Sequence, residues 1–124
     1  MMVKRQKSSG LLECSPKPVI EERPLITPEQ AVDLMAVFKV LANDTRLRLL
    51  HALIRAGEMC VGDLAKVMEM KPQAVSNQLQ RLVDRSIVSF RRNGNQIYYH
   101  IVDPCVVNLL DRGLCLTEDA EERV

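Results

Sequence analysis

Aromatic side chains are scarce in this sequence, and tryptophan is absent. Two Phe and two Tyr account for the 3% of aromatic residues, whereas apolar residues as a class make up 47% of the 124 positions. Such an apolar fraction is ordinary for a globular protein, so the core must be built from Leu, Val, Ile, Met and Ala. A domain of this length buries only about two-thirds of its surface on folding, and we expect a second subunit to add to its stability.

Two further kinds of pattern are missing from the sequence. No run is long and apolar enough to cross a membrane, and Lys4, Arg5 and Lys7 are not followed by the apolar run of a secretory signal. We therefore expect a cytoplasmic protein with no membrane partner. Because there is no glycine-rich nucleotide loop, no Ser/His/Asp set and no histidine close to a cysteine in the sequence, an enzyme is the least supported class, and we expect no organic cofactor.

Basic residues are unevenly distributed, although the net charge is only +1. Five of the 17 basic residues lie between Lys71 and His100 with a single acid, Asp84, while the other 12 share the rest of the chain with 15 acids. A basic segment on a mildly acidic body is typical of a surface that faces phosphate groups.

Composition divides the chain into three segments. Residues 1–26 contain Ser8-Ser9-Gly10 and three prolines but no lasting periodicity, which predicts a flexible N-terminal arm that carries Cys14. Residues 27–116 show the periodic patterns of one folded domain. Residues 117–124 are acidic and predict a tail that frays.

Five helices are predicted from capping residues and apolar spacing. Thr27 and Gln30 form a capping box around Pro28 at the start of the first helix, and Leu47, Leu50 and Leu53 give the second helix an apolar stripe. A short third helix and a tight connection precede Pro72, which suits the first turn of a fourth helix. The remaining boundaries are capping or breaking residues: Asn43-Asp44, Gly57, Cys60, Asp103 and Pro104.

Two β-prone runs follow the fourth helix. Residues 87–90 and 97–101 are predicted strands, and the segment 91–96 that joins them contains Asn93-Gly94, a strong hairpin signal. The order helix, helix, short helix, turn, helix, hairpin, helix is that of a winged helix-turn-helix. We therefore predict a mainly α fold with a β-hairpin wing.

The fourth helix pairs an apolar stripe with an outer face rich in amide and hydroxyl groups. Amides can pair with adenine edges and hydroxyls with bases or phosphates, while Lys and Arg contact the backbone phosphates of double-stranded DNA. A merely solvated polar face would give the same pattern, but the arginine-bearing hairpin directly after the helix favours DNA. The predicted contacts are Lys71, Gln73, Ser76, Asn77, Gln80, Arg81, Arg91, Arg92 and Gln96.

Four segments of the chain resemble the ArsR/SmtB family of metal-responsive winged-helix repressors. They are LANDTRLRLL at 41–50, GEMCVGDLA at 57–65, QAVSNQL at 73–79 and GNQIYY at 94–99, and the resemblance spans about residues 28–110. It implies a homodimer joined by its first and last helices, with 27–116 as the domain for DNA binding and dimerisation. It also implies that the apo dimer binds operator DNA and that metal binding releases it.

The four cysteines are Cys14, Cys60, Cys105 and Cys115. In a reducing compartment, metal binding or redox sensing is expected before a structural disulfide. Thiolates are soft ligands that select ions such as Hg(II), Cd(II), Pb(II), As(III) or Zn(II), so the expected effector is a thiophilic metal ion. A free cysteine is also often no more than a small buried apolar residue.

The family resemblance assigns positions to these thiols. Members often carry Cys-Val-Cys-Asp at the start of the third helix, where this chain has Cys60-Val61-Gly62-Asp63, and an arm cysteine such as Cys14 can reach that point. On the last helix Cys105 replaces the first histidine of a zinc-sensor pattern, with Cys115 one position before the later one. The hypothesis is a sulfur-rich site on Cys60 and Cys14, completed by Cys115 or Cys105.

Two alternatives remain at this point. The same fold could sense oxidants or reactive sulfur through pairs of cysteines instead of a metal. A winged helix could also serve only as a protein-interaction module. Salt-dependent binding to promoter DNA distinguishes a repressor from such a module.

Overall fold

The computed structural model of the protein describes residues 16–122, and its elements follow the predicted order. The helices of this part are α1 (Pro28–Leu41), α2 (Asp44–Ala56), α3 (Val61–Met68), α4 (Pro72–Asp84) and α5 (Pro104–Glu122). The strands are β1 (Met59–Cys60), β2 (Val88–Asn93) and β3 (Gln96–Ile101), and a 3₁₀ turn over Ile20–Glu22 precedes α1. The prediction of a mainly α winged helix-turn-helix is confirmed.

Side-chain caps fix the starts of three helices. The Oγ1 atom of Thr27 accepts the backbone N–H of Gln30 at 3.1 Å, and the Oε1 atom of Gln30 accepts that of Thr27 at 2.9 Å, so the predicted capping box is present. Asn43 Oδ1 accepts the N–H of Arg46 at 2.9 Å at the start of α2. Asp103 Oδ1 accepts a first-turn N–H of α5 at 2.9 Å. Each cap satisfies a donor that has no partner within its helix.

The connection between α3 and α4 is the tight turn that the sequence predicts. Glu69 adopts the left-handed conformation with φ 56°, and the N–H of Met70 donates to the carbonyl of Ala65 at 3.0 Å. This closing bond is that of a Schellman motif, and Pro72 then begins α4 in the conformation that its ring prefers. The turn therefore sets the direction of α4 relative to α3.

Aliphatic residues of α2, α3, α4 and β2 meet in the core. In α2, Leu49, Leu50 and Leu53 have no exposed surface, whereas Leu47, which the sequence places on the apolar stripe, is 37% exposed. The buried face of α2 also includes Leu49, which the predicted stripe leaves out. The other fully buried side chains are Leu64, Val75, Leu79, Leu82 and Val88.

The three strands form an antiparallel sheet in the order β1-β3-β2. The predicted strands are too short, because Asn93 pairs with Gln96 and leaves a two-residue turn of Gly94 and Asn95. Gly94 has φ +65°, as a type II′ turn requires at its first position. Strand β1 was not predicted, because a pair of residues is too short to show a period of two. Below, the wing is residues 88–101.

Helix α5 continues beyond the predicted domain boundary at 116 and ends at Glu122. All of its residues from Asp111 onward are exposed in the single subunit. Among residues 16–122, no helix has both the length and the apolar character needed to cross a membrane. The predictions for Cys14, for the first part of the arm and for residues 123–124 lie outside the described residues.

Candidate nucleic-acid interface and thiol groups

Helix α4 presents three amide side chains to solvent, and we call Gln73, Asn77 and Gln80 its reading face. All three are exposed, so none of them belongs to the core. Gln73 Nε2 donates to Asn77 Oδ1 at 3.0 Å, and Gln80 Nε2 donates to Asp84 Oδ1 at 2.8 Å. Pairs at a spacing of four residues lie one above the other on a helix, so the amide groups are aligned along one side of α4.

The opposite side of α4 anchors the helix to the protein. Val75, Leu79 and Leu82 are completely buried, and removing each of them from water stabilises the fold by about 1.5–3 kcal/mol. Of the other predicted contact residues on this helix, Ser76 is half-buried, while Lys71 at the N-cap and Arg81 are exposed. The reading face is therefore rigidly supported but open to a ligand.

Gln78 is not part of the reading face, because a side chain of α2 binds it. Arg46 Nη1 donates to Gln78 Oε1 at 2.9 Å, and Arg46 Nε donates to the backbone carbonyl of Val40 at 2.7 Å. One guanidinium thus connects the end of α1 with the middle of α4. Sequence analysis missed this contact because Arg46 and Gln78 are 32 positions apart and nothing in either segment marks them as partners.

The two arginines of the wing have different surroundings. Arg91 donates from Nε to Glu58 Oε1 at 3.0 Å and from Nη2 to Glu58 Oε2 at 2.6 Å, and its guanidinium carbon lies 5.1 Å from the ring centroid of Tyr98. Arg92 is exposed and forms no ion pair with any residue of 16–122. Gln96, the last predicted contact on the wing, is exposed beside the turn.

Electrostatics reinforce the pair between Arg91 and Glu58. The hydrogen bonds from Arg91 hold the pKa of the Glu58 carboxyl below that of an ordinary glutamate, and the positive charge of Arg91 acts in the same direction. The hydrogen bonds to Glu58 raise the pKa of Arg91 in turn. Bidentate geometry is the strongest arrangement for such a pair, so the Arg91 guanidinium is held against Glu58, the residue that precedes β1.

Strand register separates the two arginines further. Arg91 lies opposite Tyr98 and Arg92 opposite Ile97, and successive side chains of a strand point to opposite faces of the sheet. The sequence places both arginines in a loop at the tip of the hairpin. Because Arg91 and Arg92 are successive residues of a regular strand, their side chains point to opposite faces of the wing.

The described cysteines occupy three different environments. Cys60 ends β1, is the N-cap residue of α3 and is only 7% exposed. Cys105 is half-buried in the first turn of α5, and Cys115 is exposed on the same helix with its Sγ atom 3.7 Å from Asp119 Oδ2. No disulfide joins these three cysteines.

One subunit does not bring these thiols together. Cys105 and Cys115 are ten positions apart on α5, and a helix rises 1.5 Å per residue, which separates them by about 15 Å. No three His, Cys, Asp or Glu side chains between residues 16 and 122 lie close enough to hold a metal ion. Thiols suit soft ions, but a set of three ligands would need groups beyond those that this part of one subunit brings together.

An apolar groove of about 560 Å³ lies between α1, α2 and α5. Phe38 from α1 is 48% exposed there and Leu114 from α5 is 51% exposed. The other apolar residues that line the groove are Leu41, Ala42, Leu47, Leu109, Leu110 and Gly113. A contiguous apolar surface on a small protein is typical of an interaction site, and this one lies on the helices that the family resemblance assigns to the subunit interface.

Comparison with known proteins gives consistent matches. A family model described as "Bacterial regulatory protein, arsR family" matches residues 43–89. The chain is 43% identical over 81 residues to a transcriptional repressor SmtB homolog of Synechocystis sp. strain PCC 6803, an alignment that covers 65% of this chain and 61% of that protein. The chain thus spans less than two-thirds of that relative's length.

Two solved structures share the fold. The crystal structure of the AntR antimony-specific transcriptional repressor is 61% identical, with a TM-score of 0.75, and the match covers 89% of this chain and 99% of that one. The homodimeric winged helix-turn-helix DNA-binding domain Mb0332 from Mycobacterium bovis is 28% identical, with a TM-score of 0.68, covering 82% of this chain and 96% of that one.

Proposed function

Because the chain belongs to the arsR family of bacterial regulatory proteins, we propose that it is a repressor that binds operator DNA as a homodimer and is released by a thiophilic ion. The resemblance found in four sequence segments is thereby confirmed at the level of the family. Proteins of this family are DNA-binding transcriptional regulators, so the protein is a regulator and not an enzyme.

The observation that carries the proposal is the exposed reading face of α4 beside the wing. Its amides are aligned by their own hydrogen bonds and remain accessible to base edges in a major groove. Lys71 at the N-cap of α4 and Arg92 on the wing are both exposed and supply charge for phosphates. A helix used only for protein contacts has no need of an uncharged amide row flanked by cations.

Dimerisation is supported by the apolar groove. A second subunit that packs its α1 and α5 against the same helices covers this surface by twofold symmetry, in which each patch meets its own copy. The matched Mycobacterium bovis domain is homodimeric. Two reading faces joined in this way can contact operator half-sites about one helical turn apart.

We propose a trivalent antimony or arsenic species as the effector. AntR is described as antimony-specific, and it shares 61% of its residues with this chain over almost its whole length. Such an ion supplies a soft acceptor for thiolate sulfur. In water these species are neutral hydroxides, and each thiol proton leaves with one hydroxide as water. Release of the operator should therefore depend less on pH than it would for a divalent ion such as Cd(II), whose binding displaces the thiol protons into solution.

The cysteines of α5 are better placed for this effector than Cys60, whose side chain is buried. A twofold axis that crosses α5 near residue 110 brings Cys105 of one subunit towards Cys115 of the partner subunit, because those positions are equally distant from residue 110. This arrangement overcomes the separation of about 15 Å within one helix. A contribution from Cys14 to either pair remains a prediction from the sequence.

The test is an operator-release assay on the full-length dimer, with fluorescence anisotropy of labelled promoter DNA as the readout. Antimonite, arsenite, Cd(II), Hg(II), Pb(II), Zn(II) and an oxidant are titrated against the wild type and four variants: Cys14→Ser, Cys60→Ser, Cys105→Ser and Cys115→Ser. We expect release by antimonite at the lowest concentration and loss of release in the two α5 variants, with unchanged affinity for DNA in the absence of effector.

Other outcomes separate the alternatives. Loss of release only in the Cys14 and Cys60 variants would place the ligands on the arm and α3. Release by the oxidant alone would replace the metal-sensing proposal by the redox alternative. Absence of salt-dependent DNA binding by the wild type would contradict the repressor function itself.

A further inference from the structure

A second basic surface lies on the side of α4 next to the reading face. It is a cleft of about 480 Å³ between α1, α2 and α4, and we call it the basic cleft. Four of its lining residues are cationic and one is acidic. They are Lys39 from α1, Arg46 from α2, and Arg81, Asp84 and Arg85 at the end of α4, with Ala36 and Val40 as apolar walls.

The positive charge of the basic cleft is not neutralised within the described protein. Lys39, Arg81 and Arg85 form no ion pair with any residue of 16–122. Asp84 is the one acid of the cleft, and its Oδ1 atom accepts a hydrogen bond from Gln80 on the reading face. Several like charges converging on one cleft produce a positive potential that attracts an anion.

Arg46 gives the basic cleft a fixed cation. Its guanidinium is partly buried and is held by Val40 and Gln78 through Nε and Nη1, at 2.7 and 2.9 Å. No hydrogen-bond partner for Nη2 is found in residues 16–122. A guanidinium that is already ordered loses little further freedom when it binds an anion, and its planar donors match the oxygens of a phosphate.

We propose that the basic cleft binds a backbone phosphate of the operator, separate from the phosphates contacted by the wing. Arg81 and Arg85 lie four positions apart, so they form a stripe beside that of Asn77 and Gln80. A duplex on the reading face therefore passes next to the mouth of the cleft. This inference rests on the proposed function and extends the DNA contact to Lys39, Arg46 and Arg85, which sequence analysis did not assign.

The test uses the full-length dimer and the variants Lys39→Gln and Arg85→Gln, alone and combined. Both side chains are exposed, so thermal unfolding should be nearly unchanged. Operator affinity is measured by anisotropy between about 50 and 200 mM salt, a range over which phosphate contacts strongly affect binding. We expect weaker binding and a salt slope reduced by about one for each phosphate contact that is lost. Arg55→Gln, which removes the same charge from the exposed last turn of α2, is the matched control.

A second measurement locates the phosphate. Single methylphosphonate linkages, which are uncharged, are placed along the operator. At the position that the basic cleft contacts, the substitution should weaken wild-type binding but have little effect on the double variant. At the positions that Arg92 contacts, it should weaken both proteins.

The outcomes distinguish this inference from the proposed function. If the wild type binds the operator and Arg92→Gln weakens it, but Lys39→Gln and Arg85→Gln behave like Arg55→Gln, the basic cleft is not a DNA contact. If inorganic phosphate binds the wild type at the basic cleft but no methylphosphonate position distinguishes the wild type from the double variant, a free anion occupies the cleft, and the assignment to DNA is overturned. Failure of the wild type to bind DNA at all contradicts the repressor function instead.

Discussion

Two neighbouring arginines on β2 illustrate how the surroundings of a residue decide its role. Arg91 forms a bidentate pair with Glu58 and lies over Tyr98, whereas Arg92 has no partner among residues 16–122. Two of the donors of Arg91, and most of its charge, are already engaged by the Glu58 carboxylate. Arg92, in contrast, would give up only its contacts with water when it binds a phosphate. Phosphate binding by the wing should therefore depend mainly on Arg92.

The corresponding prediction compares Arg92→Gln with Arg91→Gln in operator binding. Loss of Arg92 should weaken binding several-fold and reduce the salt slope by about two, since one phosphate contact disappears from each subunit of the dimer. Loss of Arg91 should leave the slope nearly unchanged, because that charge is already neutralised by Glu58. Anisotropy titrations at several salt concentrations give both quantities. A larger change of slope for Arg91→Gln would reverse this assignment.

The pair between Arg91 and Glu58 also predicts a pH dependence. The pKa of Glu58 is lower in the folded protein than in the unfolded chain, so the pair stabilises the fold above the unfolded pKa and is lost as the pH falls through the folded pKa. Wild type should be slightly more stable than Glu58→Gln at neutral pH, and the two unfolding curves should converge in acid.

The effect of this pair on stability should be small and should shrink at high salt, because both partners are exposed. Thermal unfolding across a pH series measures it. A difference that grows as the pH is lowered would contradict the assigned direction of the Glu58 pKa. Carboxyl carbon chemical shifts of Glu58 provide an independent titration.

The hydrogen-bond partners of the polar side chains were the part of the site that could not be predicted from the sequence. The amide-rich face of α4 follows from helical periodicity alone, and the structure exposes Gln73, Asn77 and Gln80 as that pattern requires. The partners Glu58 of Arg91 and Arg46 of Gln78 are more than 30 positions away. Polar pairs at such separations leave no periodic trace, so a polar residue bound within the protein has the same local pattern as one that faces a ligand.

At the scale of elements, the wing depends on its two-residue turn. Gly94 has a positive φ, and the space where a Cβ atom would lie is open. A side chain at this position therefore meets no steric obstacle and is opposed only by the positive φ, a sparsely populated conformation that costs a non-glycine residue about 1–3 kcal/mol.

We accordingly expect Gly94→Val to loosen the hairpin, whereas Gly94→Asn should be milder because Asn tolerates positive φ. Faster amide hydrogen exchange in β2 and β3, with little change in α2, would reveal a local effect. Operator affinity should fall in the same order, since Arg92 is then held less firmly. Equal behaviour of the two variants would mean that backbone conformation at residue 94 does not limit the wing.

Element boundaries that depend on local chemistry were predictable, and those that depend on distant pairing were not. The caps at Thr27, Asn43 and Asp103 lie where the sequence indicates them, since each acts within three residues of its own position. Strand β1 exists because Met59 and Cys60 pair with β3, about 40 residues later. The buried position of Leu49 likewise depends on how α2 packs against other elements.

At the scale of the whole molecule, a charged substitution in the apolar groove tests whether two subunits associate through it. Leu114 lines it and is 51% exposed in one subunit, whereas Leu116 on the same helix is 62% exposed and lies outside it. A charge at position 114 has to be buried if the two subunits associate through α1 and α5, which is unfavourable without a partner. A charge at position 116 does not face this groove.

Leu114→Asp should therefore shift the protein towards monomers, while Leu116→Asp should remain dimeric like the wild type. Sedimentation velocity measures the association state directly. Operator affinity of Leu114→Asp should fall by about 100-fold or more, because two reading faces no longer bind as a linked pair. Dimerisation of both variants to the same extent would place the subunit interface elsewhere.

The length of α5 between its two cysteines has a genetic consequence. If every effector site combines Cys105 of one subunit with Cys115 of the other, a single subunit contributes one cysteine to each of two sites and completes neither. Two mutant alleles, Cys105→Ser and Cys115→Ser, are then each unresponsive when expressed singly, yet a mixed dimer of the two retains one intact pair of thiols. Coexpression should restore part of the induction that neither allele supports, so complementation between two inactive copies would reveal a site shared across the dimer.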